Sequence, residues 1–481
     1  MNTTGPKHPE RIRWEAFAVC AAVASLTIMD LSKINVGLST IETSLGGGPT
    51  ELQLIVAGYA LAFGLALVPA GRLGDVKSRK VMFIIGLTSF TLASVLCAIA
   101  PTIEVLVFGR ILQGVAAGIQ MPQVLGLIQQ LFQGAERGKA FGLFGAIIGL
   151  STAFGPTLGG LLIAVGGEAD GWRLMFWMNV PLGVLALLFA LRLLPAEQQH
   201  ESTKTELDIV GILLLGAAVF SLMLPFVLTT GGPDDDPNRW FWLIGFVLAT
   251  IAFVLWERNF LARGKSPVIR FSLLKLQSYR NGILVATAYF AAMPAIFLLT
   301  TLYLQQGLGL AAVFAGMVTI PFALVSAYTS YIGGRLVNEY GRMLVLAGLA
   351  LVLVGFGLAL PISAYAPPAL VPWLLSAAMI VAGAGGGLVI SPNQTLTLQD
   401  VPVVQGGVAG SVAQVGQRAG TAIGVAAATS TYFATIYREA DVAALTAYSD
   451  AFHNGLYVAL AIVGVAVVFS LLDLKKPVPA A

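Results

Sequence analysis

Long apolar runs separated by short polar connections dominate the chain. A membrane-spanning helix needs about 20 mostly apolar residues. Such runs fall near residues 15–38, 52–72, 81–100, 103–130, 139–165, 174–194, 208–228, 239–260, 279–305, 312–337, 342–361, 371–398, 405–434 and 452–472. The pattern predicts an all-α membrane protein with fourteen spans. The first run follows Lys7, Arg11 and Arg13 and contains Ala22-Val23-Ala24, which has the form of a leader cleavage site. It continues to about Met29, so cleavage would cut a span in half, and an uncleaved first helix is expected.

Basic residues in short loops mark the cytoplasmic side of a membrane protein. With fourteen spans and both ends inside, all but six of the 27 Lys and Arg fall in cytoplasmic loops, tails or helix ends. Of the six, Lys33, Arg110 and Arg418 lie within spans, and Arg173, Arg239 and Arg438 lie outside. The external loops carry acids instead, including Asp234-Asp235-Asp236. Dropping one span would invert everything downstream, so the even count is preferred, with a multi-pass protein in the cell membrane.

Composition agrees. Hydrophobic residues make up 57% of the 481 and charged residues 11%, with a mean hydropathy of +0.85. A soluble domain carries roughly 25% charged residues, so lipid is the solvent for most of this chain. The net charge of +3 gives no reason to expect a nucleic-acid partner. Cys20 and Cys97 sit in apolar runs without metal or disulfide spacing and read as packing residues. His8, His200 and His453 are far apart and outside the spans, and no metal or nucleophile constellation emerges.

An internal repeat sets the domain organisation. Gly71-Arg-Leu-Gly-Asp75 through Arg79 recurs as Gly334-Arg-Leu-Val-Asn338 through Arg342; Gly155/Gly159 recur as Gly420/Gly424, and Gly114/Gly118 as Gly383/Gly387. The offsets are 263, 265 and 269 residues. Two six-helix bundles are therefore expected, spans 1–6 and 9–14, with spans 7 and 8 inserted. The corresponding units are residues 1–200, 201–265 and 266–481. Repeated halves about a central path are the architecture of alternating-access carriers.

The motifs carry a resemblance. Gly71-Arg-Leu-Gly-Asp-Val-Lys-Ser-Arg-Lys80 resembles the loop between spans two and three of the major facilitator superfamily, with Val76 where a basic residue is usual and Ser78 where Gly is usual. Arg110 to Gly118 resembles its span-four motif, and Gly155-Pro156 with Gly159-Gly160 its antiporter motif in span five. Trp172-Arg173, Phe176, Asn179 and Pro181, and the linker Pro267 to Arg280, are similar to the fourteen-helix drug:proton antiporter branch. The resemblance implies the major facilitator fold. It also implies that Gly71, Asp75, Arg79 and Lys80 form a conformational latch, with Asp75 held at a helix N-terminus. Asn338 replaces Asp75 in the second copy, which makes that latch one-sided. For Gly155, Pro156, Gly159 and Gly160 two readings stand: a kink that seals the path against proton leak, or close packing of small residues.

Charges inside spans cost several kcal/mol unless paired or hydrated. Asp30 and Lys33 are three apart and share a helix face; Arg110 shares a face with Gln113. The repeat partner of Arg110 falls near Met379, so the charge belongs to the first half alone and suggests that proton coupling, through Asp30, Lys33 and Arg110, lives there. Asp30 either accepts the transported proton or forms a permanent ion pair with Lys33. Gln113, Gln120, Gln123, Tyr289, Phe297, Asn393, Gln394, Gln414 and Arg418, with Gln417 beside the last two, are candidate cavity residues. By analogy with the superfamily, spans 1, 4, 9 and 12 line the path.

The expected function is proton-driven export of small apolar or amphipathic compounds, recognised by apolar burial and a few polar contacts. The expected partners are the substrate, protons and the bilayer, with no cofactor beyond the proton gradient and the chain acting as a monomer. A lipid or lysolipid translocator, or a proton-coupled importer, is the alternative on the same fold. An ATP-driven pump or enzyme is disfavoured. Gly264-Lys265-Ser266 matches the end of a phosphate loop, but Asn259 replaces its first Gly and the segment leaves a membrane helix rather than a strand.

Overall fold

The computed structural model describes residues 9–46, 49–167, 170–195, 208–229, 235–265, 267–439 and 441–474. The expectations that touch Lys7, His8, His200, Asp234 and Ser266 lie outside these. The first bundle comprises α1 (Glu10–Leu45), α2 (Pro49–Val76), α3 (Arg79–Ala98), α4 (Ile103–Leu131), α5 (Gly134–Gly166), α6 (Gly171–Trp177) and α7 (Asn179–Leu193). Next come α8 (Ile209–Val227) and α9 (Trp242–Ala262). The second bundle is α10 (Gln277–Leu302), α11 (Ala312–Met317), α12 (Ile320–Tyr340), α13 (Arg342–Gly357), α14 (Ala359–Tyr365), α15 (Val371–Thr397), α16 (Gly406–Arg438) and α17 (Ala444–Leu474).

Among the described residues, 13 helical runs are long and apolar enough to cross a membrane, with α6–α7, α11–α12 and α13–α14 each counted as one. The span expected at 405–434 is α16, a helix of 33 residues. Its glycines, threonines and glutamines leave it less apolar than the rest. A polar helix of this length is tolerated because its neighbours, not lipid, surround it: Gly406 to Ser411, Gln414, Gly420 and Gly424 are all buried.

The outward faces are apolar. Leu185, Leu188, Leu213, Leu248 and Leu255 are half or more exposed, as expected where the solvent is hydrocarbon. One core cluster fills the first bundle around Phe63, Phe83, Phe90 and Phe141, and another the second bundle around Leu349, Phe356, Met379 and Phe452. Met379, the repeat partner of Arg110, is thus plain core.

Lipid gives helices little hydrophobic reason to associate, so close backbone approach must hold them. The repeated glycine pairs supply it. A Cβ at Gly114 or Gly118 on α4 would collide with the carbonyls of Tyr59 and Phe63 on α2. On α5, Gly155 and Gly159 press on Ser32 and Lys33 of α1; on α16, Gly420 and Gly424 press on Thr287 and Ala291 of α10. Each half therefore packs its fifth span on its first through a small-residue stripe. Gly160 has only Val36 near it, and α5 runs unbroken through Pro156.

The inserted helices are not a detached pair. Val219 and Met223 of α8 meet Leu61 and Leu65 of α2 and Ala419 of α16, so α8 seals the seam between the halves. Behind it, α9 buries Phe253, Glu257 and Phe260.

Candidate functional site

Three groups of polar residues occupy the bundles. The first lies wholly inside the first half. Asp30 of α1 has its Oδ2 2.5 Å from Nη1 of Arg110 on α4, and its Oδ1 3.3 Å from Nζ of Lys33. Asn179, at the start of α7, donates through Nδ2 to Asp30 Oδ1 at 2.6 Å and accepts from Lys33 Nζ at 2.7 Å. Arg110 also donates to Gln113 Oε1 at 2.9 Å and to the Ile55 carbonyl, and its guanidinium stacks on the Tyr59 ring at 4.3 Å. Gln113 in turn donates to Ser94 on α3 and receives the Cys97 thiol. Asp30, Lys33, Arg110, Gln113 and Asn179 are all 0% exposed.

One carboxylate thus answers two cations in a fully buried cluster. Such a group is costly to desolvate and is held by its hydrogen bonds. The amide of Asn179 can satisfy Asp30 and Lys33 together because it carries both a donor and an acceptor. Its place in the cluster was not legible from the chain, where Asn179 stood only as one position of a motif. A polar residue opening an apolar run was the available signal.

The second group joins the halves at the end that carries the α2–α3 loop. Asp75, in the last turn of α2, accepts the Gly407 and Val408 amides at 3.1 and 2.9 Å, at the N-terminus of α16. Arg79 pairs with Asp75 at 2.9 Å and donates to the carbonyls of Gly126 and, at 2.7 Å, Val403. A Cβ at Gly71 would strike Ser411 and the Gly407 carbonyl, so only glycine lets α2 this close to α16. Gln129 of α4, which the sequence did not flag, donates to the carbonyls of Leu398 and Val401 across the same seam. Beside it, α5 and α12 touch through Gly138, Gly142 and Gly334.

Lys80 is a correction. It does not bridge the halves: its Nζ donates to the carbonyls of Leu191 and Leu194, capping α7 within its own bundle. In the second copy Asn338 is exposed, and Arg342 instead pairs with Asp473 at 2.5 Å and donates to Asn393.

The third group borders a cavity of about 90 Å³ between the halves. Tyr289, Asn393, Gln394, Gln414 and Arg418 line it, with Gln417 beside them. Gln113, Gln120, Gln123 and Phe297 do not. Gln120 turns to Thr27 and Gln123 to the Ala70 carbonyl, because buried amides are drawn to the nearest interhelical partner. Phe297 packs on Phe322 and Phe356 in the second core. The first half contributes Ile28, Met121, Leu125, Phe141, Phe144 and Ile148, aromatic and aliphatic residues that carry no sequence signal apart from ordinary core.

The cavity and the first group are connected by rings. Arg418 lies over Phe63 at 4.5 Å, Phe63 meets Tyr59 edge-on at 6.2 Å, and Tyr59 carries Arg110 on its face.

The chain and its fold are similar to known proteins. The family profile of the Major Facilitator Superfamily matches residues 20–425. The chain is 32% identical over 435 residues to a probable actinorhodin transporter of Streptomyces coelicolor, covering 90% of this chain and 74% of that one. It is 31% identical to the multidrug resistance protein Stp of Mycobacterium tuberculosis (83% and 72% covered) and 31% identical to the puromycin resistance protein of Streptomyces alboniger (87% and 81%). Among solved structures, the human organic anion transporter MFSD10 superposes with a TM-score of 0.64 at 13% identity, covering 95% of this chain and all of that one. The proton:xylose symporter XylE does so with 0.62 at 18%, covering 94% and 95%. The chain is a multi-pass membrane transporter that belongs to the major facilitator superfamily.

Proposed function

We propose that this chain is a proton-coupled antiporter of the fourteen-span branch, exporting small apolar or amphipathic compounds from the cell by alternating access. In this reading residues 1–200 and 266–481 are the rocking halves and 201–265 the insert. Both ends are cytoplasmic, the protein sits in the cell membrane, and a monomer driven by the proton gradient alone suffices. The relatives that confer drug or antibiotic resistance support export.

The observation that carries the reading is Asp30, a fully buried carboxylate deep in a span and clamped between Lys33 and Arg110. Protonating it would leave two cations facing each other without an answering charge, so the cluster must rearrange when the proton arrives. Gly159 rests on the backbone of Lys33, which ties that rearrangement to α5. In the same reading, the bonds of Asp75 and Arg79 to the N-terminal end of α16 and to Val403 are the latch of a form closed at the cytoplasmic end.

The test uses purified protein in liposomes with an imposed pH gradient and N-phenyl-1-naphthylamine as the transported probe. Gradient-dependent movement that disappears in Asp30→Asn supports the reading; a proton dependence unchanged in that variant removes Asp30 from the role. Import is the second reading, favoured by 25% identity over 474 residues to the riboflavin transporter RibZ of Clostridioides difficile. Cells lacking the protein would then lose uptake of a nutrient instead of accumulating dye.

A further inference from the structure

The arginines buried at helix ends and interiors are nearly all answered. Arg13 faces Glu136, Arg79 faces Asp75, Arg110 faces Asp30 and Arg342 faces Asp473. Arg418 faces no carboxylate among the described residues. Its Nε is buried without a hydrogen-bond partner, and its guanidinium lies over the face of Phe63 at 4.5 Å, with Tyr59 nearby. It stands on the wall of the cavity between the halves, where no Asp or Glu is present.

A guanidinium stays charged at any physiological pH and presents its donors in a planar fork that fits a carboxylate, sulfonate or phosphate. Phe63 covers one face of the guanidinium, so an anion would be met by its edge donors. A charge with a buried, unpartnered donor is costly to keep in an apolar surrounding, and an anion entering the cavity would answer it.

The cavity is also divided by chemistry. Ile28, Met121, Phe141 and the rest of the first-half wall are apolar, whereas Arg418, Gln414 and Gln394 stand on the second-half wall. From Arg418 and this division we infer that the transported compounds are anionic amphipaths, the acidic head on Arg418 and the apolar body against the first half. This deepens the export reading above and rests on it for the transport step, but binding does not depend on it.

The test compares two probes with one frame: 1-anilinonaphthalene-8-sulfonate, an anion, and N-phenyl-1-naphthylamine, its uncharged parent. Binding to the purified full-length protein is measured by isothermal titration, and movement in liposomes with an imposed pH gradient. The wild type is expected to bind the sulfonate more tightly than the parent. Arg418→Gln should weaken the sulfonate about tenfold or more and leave the parent unchanged, with Arg418→Lys between. Equal affinity of the wild type for both probes, or sulfonate binding unaltered in Arg418→Gln, overturns the inference. If Arg418→Gln does not fold, the wild-type comparison and Arg418→Lys decide alone. Arg418-dependent binding without gradient-driven movement would leave the anion site standing and remove the export reading. Gradient-driven movement of the parent without preference for the sulfonate would do the reverse.

Discussion

Asp75 and Val408 are 333 residues apart, yet the carboxylate of the first accepts the amide of the second at 2.9 Å. The first turn of a helix has free amides and a partial positive charge, so α16 offers a ready seat for an acid. Because α2 and α16 belong to different halves, this seat joins the two directly at the loop end.

Asp75→Asn should therefore bias the protein toward opening at the loop end. Losing charge-assisted hydrogen bonds to two amides costs about 1–3 kcal/mol. Labelling of Leu125→Cys, on the cavity wall, by a maleimide supplied from the loop side is expected to quicken accordingly. An unchanged labelling rate would sink the latch. The native Cys20 and Cys97 are buried and give a low background.

The neighbouring cations that open α3 should separate cleanly. Arg79→Ala removes bonds to Asp75, Gly126 and Val403 and is expected to reduce transport strongly. Lys80→Ala removes only a cap on α7 and should cost about 1 kcal/mol of stability with transport largely kept. Equal losses of transport would mean that Lys80 acts between the halves after all.

For the buried cluster, charge balance sets the sign. Asp30→Asn leaves Lys33 and Arg110 unanswered and is expected to lower thermal stability by about 3–5 kcal/mol. Adding Lys33→Met removes one of the two orphaned cations and should recover part of that loss, read by thermal unfolding in detergent. A double variant less stable than Asp30→Asn alone would show that Lys33 is held by something other than Asp30.

Asn179→Leu tests the amide bridge. It strips a donor from Asp30 and an acceptor from Lys33 while the Arg110 pair persists, a loss of about 1–3 kcal/mol. If stability and transport both match the wild type, the bridge contributes nothing.

The glycine stripes predict opposite outcomes at two sites. Gly424→Val drives a side chain into the Ala291 carbonyl and should cost about 1–3 kcal/mol or more. Gly149→Ala meets nothing within 4 Å and should be neutral or slightly stabilising. Melting temperatures of the two variants settle the matter.

The chain by itself determined its solvent, its helical class and its two related halves, because apolar length, loop charge and spaced glycines are local quantities that survive without a structure. Even the conjunction of Asp30 with Lys33 was legible, since three residues on a helix always share a face. Only the tertiary structure decided what each polar group answers. Asn179 completes the Asp30 cluster, and Gln129 spans the halves. Gln120 and Gln123 spend their amides on neighbouring helices and not on the cavity, and Lys80 caps α7. Those choices depend on interhelical distances of a few ångströms, set by how glycine stripes and bulky side chains settle against one another, and no periodicity along a single helix encodes them. Arg418 marks the boundary between the two: its charge within a span is plain in the sequence, but that no acid among the described residues comes to meet it is a property of the packed bundle.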